Sequence, residues 1–278
     1  MSDSAVISDR RLEREAAKKR QERRSQAIAA ASTVIVLGGL VTLILTSPGW
    51  PEVRELFFNW RVFKEAFPEV LEGFWLDVKL FVIVEIAVLI IGLGIALVRT
   101  SRGPALFPLR LLATAWIDVF RGIPTILLVY LIGFGIPALQ LSGLPTDPVV
   151  LGGIALGLSY SAYVAEVYRA GIRSVHRSQR DAALAVGLTE AQTLRHVILP
   201  QALRFLPPPL LNDFVALQKD VALVSILGPL EAFRIAQIFQ GQEFNYTPLI
   251  AAALLYLLVT IPTARLVERI GGQPGEVR

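Results

Sequence analysis

The sequence predicts an all-α polytopic membrane protein with six spans, on the strength of its composition and its long apolar runs. Of its 278 residues, 54% are hydrophobic and only 18% are charged, and the mean hydropathy is +0.56. A soluble domain of this length carries more charge and shorter apolar runs. Several runs approach the ~20 residues that a helix needs to cross a bilayer. The chain has no cysteine, which excludes disulfides, thiol catalysis and thiolate metal sites.

The first 46 residues predict a polar tail followed by a membrane anchor. Residues 1–26 interleave acids with bases, which is typical of a solvated cytoplasmic tail, with nucleic-acid or lipid binding as the alternative. Residues 27–46 are apolar over the length of a span. The basic region before them is long, and Ser47-Pro48-Gly49 is not a small-x-small cleavage site. We therefore expect a retained transmembrane helix rather than a signal peptide.

Residues 47–73 alternate aromatic and charged side chains at roughly helical spacing. That pattern is typical of an amphipathic helix lying at the membrane interface. Trp50 and Trp60 suit the same level, because tryptophan concentrates where lipid meets water. The segment is therefore predicted to be an extracytoplasmic amphipathic loop between the first and second spans.

The rest of the chain predicts a five-span domain at 74–270 and a cytoplasmic tail at 271–278. The apolar runs lie at 74–98, 111–136, 149–170, 209–227 and 249–267. The loop between the fourth and fifth spans is the most basic, with Arg169, Arg173, Arg177, Arg180, Arg195 and Arg204. Short basic loops stay in the cytoplasm, so six crossings with both termini inside satisfy every short loop. The basic pI of about 9.6 follows from this bias and does not predict a nucleic-acid partner.

The segment DAALAVGLTEAQTLRHVILP, Asp181 to Pro200, is a polar, helix-forming interruption within that basic loop. Gly187 provides a permissive turn, and Pro200 opposes simple continuation of a helix. The order predicts helix, turn, helix and stop. Such an element suits docking to a cytoplasmic partner, with a plain solvated connector as the alternative.

The residues offer little for catalysis. The only histidines are His176 and His196, both in the basic loop, and neither HExxH nor GxxxxGK[ST] occurs. An aspartyl intramembrane protease needs two facing aspartates, and Asp118 and Asp220 meet that count outside any recognisable motif. We therefore expect no catalytic residues, no metal and no cofactor. An intramembrane enzyme and a non-transporting membrane scaffold stay as alternatives.

Ionisable residues inside predicted spans indicate a polar pathway, because buried charges usually face a bundle interior or a water-filled cavity. Lys219 lies eleven residues after Pro208, roughly 16 Å along a helix and near mid-bilayer. The alternative is mutual pairing, first of all of Asp118 with Arg121 at i,i+3. The candidate path residues are Arg121, Lys219, Asp220, Glu85, Asp118 and Glu166.

Three segments in order resemble the integral-membrane permease subunit of bacterial ABC importers for polar amino acids. The loop resembles the family's EAA signature, E-A-A, three residues, G, nine residues, I-x-L-P. Its places are filled by Asp181, Ala182, Ala183, Gly187, Val197, Leu199 and Pro200. VFRGIPTILLVYLI, Val119 to Ile132, is similar to a segment of the amino-acid subgroup. The stretch from Pro200 to Gly228 is similar to the family's segment on the C-terminal side of the loop.

The resemblance implies a type I permease core of five helices plus one added N-terminal helix, with a coupling loop at 171–205. It also implies the partners: a second permease subunit, identical or related, a cytoplasmic ATPase dimer that binds the ATP, and an extracytoplasmic amino-acid-binding protein. The resemblance also implies that the chain lies in the lipid of a bacterial plasma membrane and has no nucleic-acid partner. Asp181 stands where the family has Glu, and Val221-Ala222 stand where Thr-Ser is common after Lys-Asp. The second departure leaves the substrate preference open.

Overall fold

Helices make up nearly all of the molecule. The computed structural model describes residues 3–101 and 103–271, and no strand occurs among them. The helices are α1 Asp3–Leu45, α2 Trp50–Phe57, α3 Trp60–Thr100, α4 Phe107–Gly122, α5 Thr125–Ala138, α6 Pro148–Ser174, α7 Arg177–Ala185, α8 Glu190–Thr193, α9 Leu199–Ala202, α10 Pro207–Asp220, α11 Ala232–Glu243 and α12 Thr247–Gly271. The predicted all-α class is confirmed. The predicted C-terminal tail, 271–278, lies outside the described residues apart from Gly271.

The chain divides into two compact units, Met1–Leu56 and Phe57–Arg278. In the first unit α1 contains one candidate span, Arg23–Leu45, so the predicted tail and anchor form one continuous helix. The second unit contains long apolar stretches in α3, α6 and α12, and two bent helix pairs that each have the length of a span. With each bent pair counted once, the described residues hold six candidate spans, the number that the sequence predicts.

No break in the helix separates the predicted loop at 47–73 from the predicted span that begins at 74, because α3 runs continuously from Trp60 to Thr100. Asn59 starts it by accepting hydrogen bonds from the backbone N–H groups of Arg61 and Val62, at 3.0 and 3.2 Å. One buried stripe then continues along the whole helix at intervals of three or four residues: Val62, Ala66, Val70, Gly73, Asp77, Leu80, Val84, Val88, Gly92 and Ala96.

The predicted third span, 111–136, is two helices rather than one. α4 and α5 meet at an angle of 102°. Ile123, between them, has an extended backbone (φ −93°, ψ 129°), and Pro124 follows it. Proline disfavours the α conformation in the residue before it, so the first helix has to end at Gly122.

The predicted fifth span, 209–227, changes its helical geometry at its charged pair. α10 ends at Asp220 and a 3₁₀ segment continues through Val221–Leu227. Gly228 follows with φ +100°, which favours glycine, and α11 departs at 53°. The interruption by Lys219-Asp220 in the sequence therefore marks a real change in the backbone.

The core lies where α3, α6, α10 and the 3₁₀ segment after α10 meet. It contains Leu80, Val84, Val88, Leu156, Tyr160, Val164, Leu217, Val221 and Val224. Glycines allow the closest approaches. A Cβ on Gly92 would lie 2.8 Å from Cγ1 of Val164 and 3.1 Å from the backbone nitrogen of Ala165, so α3 and α6 pack almost backbone to backbone there. This packing holds α6, and the loop after it, in a fixed direction.

Candidate functional site

The loop after α6 folds as two short helical arms around a glycine turn. α7 ends in a turn closed by the N–H groups of Gly187 and Leu188, which donate to the carbonyls of Leu184 (3.0 Å) and Ala183 (3.2 Å). Gly187 has φ +89°, a conformation that residues with a Cβ rarely adopt. α8 then starts with a capping box between Thr189 and Gln192. The predicted helix-turn-helix is confirmed.

The first arm presents a small, acidic face to solvent. Asp181 and Ala182 are exposed, whereas Ala183 is buried. Arg177 lies 3.8 Å from the Asp181 carboxylate, one helical turn away, and the pair is highly exposed. Arg180 forms an ion pair with Glu190, which ties the first arm to the second.

The second arm is anchored to the end of α6 by an apolar cluster. Ile172, Ile198 and Ala202 are buried there, with Val175, Leu194, Val197 and Leu199 packed around them. Gly171 of α6 touches Leu206 so closely that a Cβ would lie 2.4 Å from its Cδ2. Movement of the loop would therefore move the end of α6.

The predicted stop at Pro200 is wrong by two residues, because helix continues to Ala202. The run Leu194–Ile198 is a π-helix, and the N–H of Leu199 donates to the carbonyl of Leu194. The wider π turn makes room for the proline ring, which in an α-helix would meet the carbonyl four residues earlier. Pro200 therefore shapes the arm instead of ending it.

The charged residues of α4 do not pair as expected. Within the described part of the chain, Asp118 and Arg121 form no ion pair with each other. Arg121 instead lies over the ring of Tyr163 on α6, with Cζ 5.4 Å from the ring centroid. α4 ends one residue later, so the side chain of Arg121 can turn toward α6. Both Asp118 and Arg121 are exposed.

Glu166 is held by two arginines. Its carboxylate accepts from Arg99 Nη1 at 2.8 Å and from Arg169 Nε at 2.7 Å. Arg99 is in the last turn of α3 and Arg169 is one turn further along α6. Of the predicted path residues, Glu166 is thus the one whose charge is already matched by protein groups.

Of the three remaining path candidates, one side chain is hydrogen-bonded to another and two are not. Asp220 accepts a hydrogen bond from the hydroxyl of Tyr160 at 2.8 Å, while its neighbour Lys219 is exposed. Glu85 on α3 is half-buried, and its carboxylate is repelled by the like charge of Asp213 on α10. Asp213 also interacts with Arg121. Asp213 is thus within electrostatic range of both Glu85 and Arg121, so charged groups from three helices influence one another there.

Sequence reasoning missed Asp213. Among the residues that the structure describes, none hydrogen-bonds to its buried Oδ2 atom. The only available signal was an acidic residue in the first two turns of a predicted span, which is too common to single out.

Sequence reasoning also missed a cluster of buried polar side chains between α3, α11 and α12. Tyr256 donates its hydroxyl proton to Asp77 Oδ2 at 2.8 Å and lies 3.5 Å from Glu231 Oε2. Glu231 caps α11 by accepting from the N–H groups of Phe233 and Arg234, at 2.8 and 2.6 Å. These residues are up to 179 positions apart in the chain, so no local pattern links them.

Comparison with known proteins gives a consistent family. Residues 89–271 match the family model described as the binding-protein-dependent transport system inner membrane component. The arginine transport system permease protein ArtQ of Bacillus subtilis is 34% identical over 206 residues, covering 73% of this chain and 92% of that protein. The glutamine transport system permease protein GlnP of Escherichia coli is 32% identical over 219 residues, covering 77% and 96%.

Solved structures agree with the sequence relatives. A chain of the crystal structure of an amino acid ABC transporter with histidines superposes with a TM-score of 0.65 at 33% identity, covering 73% of this chain and 92% of that one. A chain of the MetNI methionine ABC transporter in an inward-facing conformation superposes with a TM-score of 0.56 at 21% identity, which supports the fold alone.

Proposed function

Because the chain belongs to the family of binding-protein-dependent transport system inner membrane components, as a permease subunit of an amino-acid ABC importer, we propose how its loop and its charged residues perform the transport. The chain is not an enzyme, and ATP is hydrolysed in a separate subunit. The substrate proposed is a polar amino acid, since the relatives named above are permeases for arginine and for glutamine. The alternatives of an intramembrane enzyme and a non-transporting scaffold are not favoured.

The proposed assembly contains two permease subunits, a cytoplasmic ATPase dimer and an extracytoplasmic binding protein. The second permease is a copy of this chain or a related one. Both termini lie in the cytoplasm of a bacterial cell, because the short loop after α6 carries the basic residues that stay inside.

The loop formed by α7, α8 and α9 is the proposed coupling element. Its exposed Asp181-Ala182 face is narrow enough to enter a groove of the ATPase, and Ala183 and Gly187 set its direction. Val197 and Leu199 belong to the apolar anchor on α6, and Pro200, which is exposed, follows them in α9. The observation that carries this proposal is that combination, an exposed docking face on a segment packed firmly against a long membrane helix.

The translocation path is proposed to run along the open charges. Asp118, Arg121 and Lys219 are exposed, and charges in a membrane domain avoid lipid. These residues are therefore assigned to the aqueous path between two permease subunits. An amino acid carries an ammonium and a carboxylate, for which Glu85 with Asp213 and Arg121 are complementary. Asp220 and Glu166, each bonded to another side chain, support the path without direct contact with the substrate.

Coupling is tested by ATP hydrolysis of the purified complex in lipid, with and without the loaded binding protein. Asp181→Lys reverses the charge of the docking face. Gly187→Pro imposes a negative φ and removes the N–H that bonds Leu184. Both variants are expected to lose the stimulation by binding protein and keep the unstimulated rate. Glu52→Lys, the same charge reversal in α2, is expected to behave as wild type. Equal stimulation in all proteins would remove the coupling assignment.

The path is tested by transport kinetics in proteoliposomes. Arg121→Gln and Lys219→Gln are each expected to weaken apparent substrate affinity about tenfold, the effect of losing about 1.4 kcal/mol of binding. Lys79→Gln is the matched control, because Lys79 lies over the Trp75 ring and has no proposed part in the path. Unchanged kinetics in both path variants would show that the assignment is wrong.

A further inference from the structure

A cavity lined by arginines lies where the coupling loop meets α3, α4 and α6, and neither the proposed docking face nor the proposed path accounts for its charge. Its volume is about 460 Å³, within the range of ligand sites. It is formed by the ends of α3 and α6, the start of α4 and the first arm of the loop. Five arginines line it, and none of its lining residues is acidic: Arg99, Arg110, Arg173, Arg177 and Arg180.

The charge in this cavity is only partly matched by the protein. Arg99 is paired with Glu166 and Arg180 with Glu190, while Arg177 is 3.8 Å from Asp181. Arg110 donates to the backbone carbonyls of Ser101 and Gly103, at 3.1 and 2.8 Å, so its charge is oriented but not neutralised. Within the described residues, Arg110 and Arg173 have no carboxylate partner. Two uncompensated guanidinium groups thus face the cavity, and guanidinium binds phosphate well.

An apolar groove continues from the cavity between α3 and α4. It has a volume of about 390 Å³ and is lined by Ile91, Gly94, Ile95, Val98, Leu112, Ala113 and Trp116. Arg99 stands four residues after Ile95 on α3, and Arg110 stands three residues before Ala113 on α4, so on both helices the groove and the cavity share one face.

Together with a second apolar groove, this groove covers the depth of one leaflet. From Val98 to Ile91 it follows α3 for seven residues, roughly 10 Å. Ile91 and Trp116 also line a second apolar groove that extends to Leu80. Half of the hydrocarbon core is roughly 15 Å thick. An acyl chain whose headgroup lies among the arginines would therefore stay in contact with apolar side chains over the depth of its leaflet.

We propose that this cavity and groove bind an anionic phospholipid, with its phosphate between Arg110 and Arg173 and its acyl chain along α3 and α4 as far as Trp116. Charge complementarity at one end and apolar continuity at the other select a lipid over a soluble anion, which would leave the groove unused. The lipid would link the end of α3 to the first arm of the coupling loop. The site does not depend on the proposed substrate, and it is measured by binding without transport.

Trp116 provides the readout, because brominated acyl chains quench tryptophan on contact. The purified complex is placed in bilayers that contain brominated phosphatidylglycerol or brominated phosphatidylcholine at equal mole fraction. The difference in quenching between wild type and Trp116→Phe isolates the Trp116 signal. We expect phosphatidylglycerol to be preferred at Trp116 severalfold over phosphatidylcholine.

The arginines are tested by neutralisation. Arg173→Gln is expected to lower the preference about fivefold, as expected for one basic residue near an anionic surface. Arg110→Gln is a second variant, in case the first fails to fold. Arg265→Gln is the matched control, since Arg265 is exposed on α12 and lines neither the cavity nor the groove. It is expected to retain the full preference.

Four results would overturn the proposal. Equal quenching by the two lipids in wild type would show that the headgroup is not recognised. An equal loss in Arg265→Gln would show that only the general surface charge acts. The third contrary result is that the lipids quench Trp116 in the isolated permease but not in the assembled complex. That result would mean that a protein partner covers this face. Inorganic phosphate at constant ionic strength is expected not to displace the lipid, and displacement would identify a soluble-anion site instead.

Discussion

The hydroxyl of Tyr256 lies between two carboxyl groups in the interior of the bundle. Among single residues, it has the clearest expected effect on the stability of the fold. Asp77 and Glu231 are 4% and 2% exposed, and a buried carboxyl without hydrogen bonds is strongly unfavourable. The hydroxyl of Tyr256 donates to Asp77, while the N–H of Ala232 approaches the same oxygen only at 3.4 Å. No described residue donates to the other oxygen of Asp77.

Tyr256→Phe is expected to lower the free energy of unfolding by about 1–3 kcal/mol, because it leaves a buried acceptor without its main donor. Thermal unfolding of the detergent-solubilised protein measures the change. Tyr246→Phe is the control, since its ring stacks on Phe57 at 4.9 Å and the residue is 41% exposed. A loss of stability of the same size in both variants would contradict the role given to the buried hydroxyl.

At the scale of elements, the contact of α3 with α6 determines the direction of the coupling loop. The two helices approach closely at Gly92, where the space for a side chain is filled by Val164 and Ala165. Two residues later, Gly94 has no atom within 4 Å of the position of a Cβ. The same substitution at these two positions therefore separates helix packing from helix propensity.

Gly92→Ala is expected to destabilise the protein, because overpacking costs about 1–3 kcal/mol and exceeds the gain in helix propensity. Gly94→Ala is expected to be neutral or stabilising by up to about 1 kcal/mol, the difference in propensity between the two residues. Unfolding midpoints of the two variants under identical conditions test this. If Gly92→Ala proved as stable as Gly94→Ala, the close approach of α3 and α6 would not be required.

On the scale of the whole molecule, all parts of the proposed transport machinery lie in the second unit. The coupling loop, the open charges and the buried carboxyl groups all belong to Phe57–Arg278. The match to the family model also falls within that unit, at residues 89–271. The first unit contributes one further candidate span, Arg23–Leu45, which lies outside the residues that match the family model.

Deletion of residues 1–46 is therefore expected to retain assembly with the ATPase and at least half of the hydrolysis stimulated by binding protein. Because the deletion also removes one crossing, a second protein carries an unrelated single-span anchor in place of these residues. Co-purification of the ATPase and stimulated hydrolysis are measured for both. If the anchored protein inserts but fails to assemble, the first unit is part of the machinery and the prediction is wrong.

Features that depend on local chemistry could be predicted from the amino-acid sequence. Long apolar runs predict the number of spans, and Gly187 predicts the turn between the arms, because each residue type acts on its own segment. The break at Pro124 was also visible as a residue, but apolar length alone merged α4 and α5 into one predicted span.

Which charges meet depends on the tertiary structure. Arg99 and Glu166 are 67 positions apart, and Tyr256 and Asp77 are 179 apart, yet each pair is in direct contact. Asp118 and Arg121, at the favourable i,i+3 spacing, do not pair, because Arg121 turns to Tyr163 on another helix. A charge inside a membrane domain interacts with whatever its neighbouring helix presents, and that neighbour is determined by packing over the whole fold rather than by spacing along the chain.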